Sequence, residues 1–280
     1  MLDRAANTVE SRQLTIGDKT VSLSVDTAHP EEPAFFVLGV RKSGSTMLNK
    51  AVTFLASRSK HHCVDWPGMF FKNGFTVRDW SGLDFSNVIE GGNVYTGFRN
   101  FPKALAGNAA FAKARKVLLV RDPRDALVSQ YYSDAFSHAL PSAKGMNAEQ
   151  GRQSFIEKRK QAQESDINDY VIAKAAGMNA TLMEYKDIVG DETTLLLKYE
   201  HVIFQKRWML GKILKHYGWT LHPGKIDNLM KQIHVIPSQE DEKKFVRKAI
   251  PGDHLEKLKP ETIRKLNAKL AESLSFFDYE

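Results

Sequence analysis

A single cysteine, Cys63, stands in 280 residues. That scarcity excludes an intrachain disulfide framework and any CxxC metal or redox site, and it fits a reducing compartment. No apolar run approaches the roughly 18 residues that a membrane helix needs. The N-terminal MLDRAANTVE lacks the apolar stretch of a signal peptide. The expectation is a cytoplasmic protein with no membrane insertion. No basic run is interleaved with aromatics, so nucleic acid is not implied as a partner. The net charge of +7 and a pI near 9.3 point instead to an anionic ligand or surface, although diffuse lysine-rich faces give most soluble proteins such a balance.

What is present is enough for a large core: 42% of the residues are hydrophobic, and the length suits one domain. Short apolar runs at Phe35–Gly39, Val94–Phe98, Val117–Val120 and Leu195–Tyr199 read as strands buried on both faces. Helical patterns separate them. Met47, Leu48, Ala51, Val52 and Leu55 form one stripe over Ser45–Ser57, and Leu210, Ile213, Leu214 and Tyr217 form another that ends against Gly218. The last helix starts at Pro260 and turns Ile263, Leu266 and Leu270 inward. The alternation predicts an α/β fold, a mostly parallel sheet flanked by helices, in a single domain. Residues 1–32 read as a polar extension, in part a hairpin, that ends in the linker His29–Pro33, and 33–280 as the domain itself. Ser137–Asp166, rich in charge, Gly, Ser and Gln, reads as a mobile, partly helical insertion.

Ligands of such a sheet bind beyond the carboxyl ends of the strands. GVRKSGST, residues 39–46, sits at the end of the first core strand and opens a helix. Backbone N–H groups at a helix start carry partial positive charge, and a Gly-containing turn lets them converge on a phosphate. The spacing Gly39, Gly44, Thr46 is that of a P-loop, but Ser45 takes the place of the nucleotidase lysine, which has moved to Lys42. The next core strand ends in Arg121 and not in a carboxylate that could serve magnesium. A mononucleotide phosphate, without metal, fits better.

VLLVRDPRDALVSQYYS, residues 117–133, adds a second constellation. Arg121 ends a strand, Asp122 caps a helix opened by Pro123, and Ser129 follows two turns in; arginine and hydroxyl together can hold a phosphate monoester. The plainer alternative is a capped helix with a surface ion pair. FVRKAIPGDHLEKLKPE, from Phe245 to Glu261, offers Arg247 and Lys248 in a Gly/Pro-containing loop.

Together the three stretches resemble the sulfotransferases that use 3′-phosphoadenosine 5′-phosphosulfate (PAPS) and leave adenosine 3′,5′-bisphosphate (PAP). Arg41-Lys42-Ser43-Gly44-Ser45-Thr46 stands for that family's P-K-S-G-T-T loop around the 5′-phosphosulfate. Arg121 and Ser129 match the pair on the 3′-phosphate in type, spacing and order, and Arg247-Lys248-Ala249 then Gly252-Asp253-His254 matches R-K-G then G-D-W. Tyr199 corresponds to the tyrosine by the adenine. The resemblance covers residues 33 to 278 and implies a metal-free donor site. It implies that Lys42 acts on the bridging oxygen and that backbone amides of 43–47 hold the 5′-phosphate.

Departures follow. The register of YTGFRNFP puts Arg99 where the phenol and steroid enzymes keep a catalytic histidine, and arginine does not serve as a base near neutral pH. Glycan and protein-tyrosine enzymes often use an acidic residue at the end of the strand after the loop, which nominates Asp65 as base, with His62 second and Arg99 left to orient substrate or stabilise charge. Met47 replaces a tryptophan that stacks on adenine in many members, so adenine contacts are sought elsewhere, at Ile236 or Trp66. The dimerisation pattern of the cytosolic enzymes is not reproduced after Lys257, which leaves the oligomeric state open. The aromatic segment Trp66–Trp80 can line an acceptor pocket. A small-molecule acceptor is expected, a glycan or glycolipid head group being the alternative. A P-loop kinase and a non-catalytic bisphosphate-binding protein are the competing classes.

Overall fold

The computed structural model describes residues 9–138, 148–233, 237, 239–244 and 246–279. Five strands form one sheet: β3 (Phe35–Gly39), β4 (His62–Asp65), β5 (Asn93–Phe98), β6 (Arg115–Val120) and β7 (Thr194–Lys198). Their order is β4-β5-β3-β6-β7 and every pair is parallel. Side chains alternate across a strand, so the apolar runs feed two cores at once. Phe36, Leu38, Leu118 and Val120 face one, while Phe35, Val37, Val117 and Leu119 face the other.

The helices Ser45–Arg58 and Lys206–Tyr217 cover the second face with Leu48, Val52, Leu55, Met209, Leu210 and Ile213. Gly218 ends the latter in the left-handed conformation, as the sequence led us to expect. Helices Pro123–Tyr132 and Ile167–Met183 cover the first face, with Leu266 and Leu270 of the C-terminal segment buried beside them. Burying each such leucine contributes roughly 1.5–3 kcal/mol.

Ahead of the sheet, β1 (Val9–Ile16) and β2 (Lys19–Asp26) pair as an antiparallel hairpin. It is less polar in effect than its composition implies, because alternation collects Leu14, Ile16, Val21, Leu23 and Val25 on one face, and that face joins the first core. The stretch expected as a strand through Tyr199 stops at Lys198, and Tyr199 opens a short helical turn. Within the insertion, Ala148–Glu164 is a helix; residues 139–147 lie outside the described residues. No described helix is long and apolar enough to cross a membrane.

Two features aim the strand ends. Gly97 of β5 sits at φ 88 and shifts the β3–β5 register, and its N–H is satisfied by the Asn49 side chain at 2.9 Å. After Tyr132 the chain widens into a π-helical turn, Ser133–Ser137, an irregularity that favours functional positions.

Candidate active site

The turn after β3 is built around two left-handed residues, Lys42 at φ 67 and Gly44 at φ 90. Gly44 has to be glycine for a second reason: a Cβ there would stand 3.0 Å from the Tyr199 ring. Ser43 donates both its N–H (3.1 Å) and its hydroxyl (2.6 Å) to the Val40 carbonyl and points inward, and the Met47 N–H bonds the Gly44 carbonyl at 2.9 Å. Amides 43 and 47, expected on the phosphate, are therefore engaged within the loop. Gly44, Ser45 and Thr46 remain at a helix start that no side chain caps.

Arg121 leaves the end of β6 and lies over the Tyr199 ring, 4.5 Å from its centroid, with Nη1 3.4 Å from the Lys42 carbonyl. Its buried Nε has no hydrogen-bond partner among the described residues. Tyr199 also donates its hydroxyl to the Ala249 carbonyl at 3.2 Å. One ring thus touches the loop, the arginine and the C-terminal motif, the three stretches that the sequence placed far apart.

Asp125 locks the same assembly. It takes bonds from the Gly252 N–H (2.7 Å), the His254 N–H (2.9 Å) and His254 Nδ1 (2.7 Å), and it pairs with Arg121 at 3.4 Å. Burial alone would raise its carboxyl, but His254 and Arg121 outweigh it and hold the group well below the usual carboxylate range. This ion pair is buried, unlike the surface pair of the plainer alternative, because the C-terminal loop folds over it. Asp253 in turn pairs with Arg247 and, at 3.4 Å, with Lys248, which also meets Glu256 at 2.5 Å. Arg247 further pairs with Glu240 and stacks on Tyr132 at 4.2 Å.

These groups surround a cavity of about 360 Å³ lined by Arg41, Lys42, Gly44, Ser45, Thr46, Met47, Arg121, Ser129, Tyr199, Arg247, Lys248 and Ala249, with Arg99 at its edge. Every donor residue named from the sequence is on this wall except Ser43. Lys206, buried and bonded to the Ile203 carbonyl at 2.7 Å, is on it too and was not foreseen. Burial pushes Lys42 down from 10.5 to about 8, Asp134 pulls the other way, and Arg41, Arg121 and Arg99 reinforce the fall. Asp134 is itself fixed by the Tyr170 hydroxyl at 2.5 Å.

A second cavity of about 400 Å³ is lined by Asp65, Pro67, Phe71, Val77, Trp80, Phe98, Arg99, Phe101 and His138, among others. Asp65 ends β4 and caps the helix Trp66–Lys72, accepting from the Gly68 N–H at 2.9 Å. His62 is at the other end of that strand, its Nε2 3.1 Å from the Ser24 carbonyl, and lines neither cavity. Trp66, sought as an adenine contact, lines neither cavity: it is fully buried, 4.8 Å from Phe85 in a stacked pair, because the first residue after the strand turns into the core. Phe70 is likewise core, whereas Phe71 and Trp80 do line the second cavity. Ile236 lies outside the described residues.

No curated protein sequence matches the chain. Among solved structures, mouse sulfotransferase SULT7A1 complexed with PAP superposes with a TM-score of 0.58 at 13% identity, over 89% of this chain and 85% of that one. Retinol dehydratase in complex with androsterone and inactive cofactor PAP gives 0.47 at 14% identity, over 94% and 90%. A sulfotransferase from Alicyclobacillus acidocaldarius gives 0.45 at 14%, over 88% and 94%. The first of these likenesses is one of fold. The family model for the sulfotransferase domain matches residues 32–277, a span that holds both cavities and all three motifs, and the chain therefore belongs to the sulfotransferase domain family.

Proposed function

We propose that the protein moves the sulfuryl group of PAPS to a hydroxyl or amine of a small-molecule acceptor, without a metal. One observation carries this reading: three motifs, separated by up to two hundred residues, line a single cavity that shares wall residues with a second, aromatic one. The charge set suits a bisphosphate. Arg121, Ser129, Arg247 and Lys248 would hold the 3′-phosphate, and the N–H groups of Gly44, Ser45 and Thr46 the 5′-phosphate. Tyr199 and Met47 supply apolar surface for the base.

The acceptor oxygen attacks sulfur, the bond from sulfur to the bridging oxygen breaks, and the electron pair stays on the 5′-phosphate. A sulfuryl group carries less charge than a phosphoryl group, so a single cation at the leaving oxygen suffices, and Lys42 is that cation. The acceptor would occupy the second cavity, whose walls Phe71, Val77, Trp80, Phe98 and Phe101 favour a ring or polycycle over a glycan. Its proton goes to a base on that side, where Asp65, nominated from the sequence, and His138 both stand.

Thermal melting in EDTA tests the donor. PAP at a hundred times its dissociation constant should stabilise the fold by ~2.7 kcal/mol, a rise of about 5–10 °C in Tm at this chain length. A larger shift with ATP and magnesium would favour a kinase. Strong PAP binding with no transfer to any acceptor would favour a non-catalytic binding protein.

A further inference from the structure

A sulfuryl group passed between two cavities has to cross where they meet. The wall residues common to both are Arg99 and His138. An arginine cannot take a proton near neutral pH, whereas an imidazole can. We infer that His138, and not Asp65, is the general base of the transfer; the inference rests on the sulfotransferase reading above. In the step, a ring nitrogen of His138 takes the acceptor's hydroxyl proton while the oxygen bonds to sulfur. The pair released from the S–O bond settles on the bridging oxygen opposite Lys42. The products are a sulfate monoester, PAP and an imidazolium.

The surroundings equip His138 for this. Its backbone N–H donates to the Ser133 carbonyl at 2.9 Å, which closes the π-turn. Its ring stacks on Phe155 at 5.5 Å, and Arg159 donates to its carbonyl. Burial lowers its pKa below the ordinary 6.5; Lys42, Arg41 and Arg99 push the same way and Asp134 opposes them. The imidazole is therefore neutral, ready to accept, at physiological pH. Asp65 lines the acceptor cavity alone, and its Oδ1 is held by the Gly68 N–H. That carboxylate also fills the space above Gly97, 2.0 Å from where a Cβ would stand, so its evident work is to shape the turn.

The test follows PAP release from PAPS with phenol, nitrophenol or water as acceptor, across pH 5 to 8, in the full chain. His138→Asn should slow turnover with phenol by ~10²–10⁴. It should lose the rise in kcat/KM centred below pH 6.5, and at pH 8, where nitrophenol is largely ionised, it should slow that acceptor far less than phenol. Added imidazole should restore part of the rate in His138→Ala. The PAP melting shift should persist in both variants, which separates catalysis from folding. If His138→Asn keeps both the rate and the acid limb while Asp65→Asn loses them, the base is Asp65 and the inference falls. A wild-type protein that binds PAP yet releases none from PAPS with any of the three acceptors overturns the sulfotransferase reading and the inference together.

Discussion

Lys42 is the residue whose loss should make the protein at once more stable and less active. Its ammonium is half-buried and pushed down to about 8 from 10.5, burial being the main cause. The unfolded chain holds this proton up to about 10.5 and the folded one only up to about 8. Between those values the unfolded state binds more protons, so stability from this group rises with pH there, and the full penalty applies below pH 8. At ~1.4 kcal/mol per pH unit the gap is worth about 3.5 kcal/mol; screening of a partly exposed group leaves roughly half of that.

Lys42→Met keeps length and apolar stem and removes the charge. It should raise Tm at pH 7 by about 3–6 °C, and the advantage should shrink to roughly half by pH 9.5, where the wild-type lysine has already shed its proton. Turnover should fall by ~10²–10³, because the lost charge matters most as the bridging oxygen becomes anionic. Differential scanning fluorimetry at the two pH values, beside a PAP-release assay, reads both effects. A variant that is no more stable than wild type at pH 7, or whose advantage does not depend on pH, would refute the account of a desolvated, uncompensated cation.

Arg121→Ala and Arg247→Ala should each weaken PAP binding, read by calorimetry, with a smaller change in the chemical step, since the phosphate they face keeps its charge throughout. Ala249 holds a φ of 60 where related enzymes have glycine; Ala249→Gly should stabilise the fold by about 0.5–1 kcal/mol in urea titration, and an unchanged midpoint would show that the loop relaxes freely. Asp125→Ala, which strands Arg121, the His254 ring and two backbone N–H groups, should cost about 3–5 kcal/mol and weaken the PAP melting shift beyond the loss in stability alone.

The wall of the first cavity was legible because a parallel sheet puts its binding loops at strand carboxyl ends, and the motifs carry their own spacing. GVRKSGST and Arg121 could be placed from the pattern of the runs before them. The acceptor side was not legible in the same way. Choosing between His62 and Asp65 depends on strand direction: they are the first and last residues of β4, about 10 Å apart at ~3.3 Å per residue. Trp66 looks like a ligand-stacking aromatic in sequence, yet whether it faces core or cavity depends on one residue of register. His138 had no signal, since a π-turn leaves no hydrophobic period to follow. Asp125 was not singled out at all, because its partners Gly252 and His254 lie about 130 residues downstream.

The distribution of carboxylates follows from what each cation has to do. Arg121 has Asp125, Arg247 has Asp253 and Glu240, and Lys248 has Asp253 and Glu256. These resident anions hold the three cations in place; on the proposed reading they do so before any phosphate arrives, at some expense in affinity, and because the phosphate charge is constant the arrangement need not change during turnover. Lys42 has no carboxylate within ion-pair distance among the described residues, only the more distant field of Asp134. A close partner there would neutralise the ammonium and blunt its pull on the oxygen that becomes anionic. The molecule instead tolerates a partly buried cation in a left-handed backbone conformation, at φ 67, and accepts the lower stability. Preorganised pairing where charge is fixed, and an unpaired cation where charge develops, is the division that the proposed sulfuryl transfer calls for.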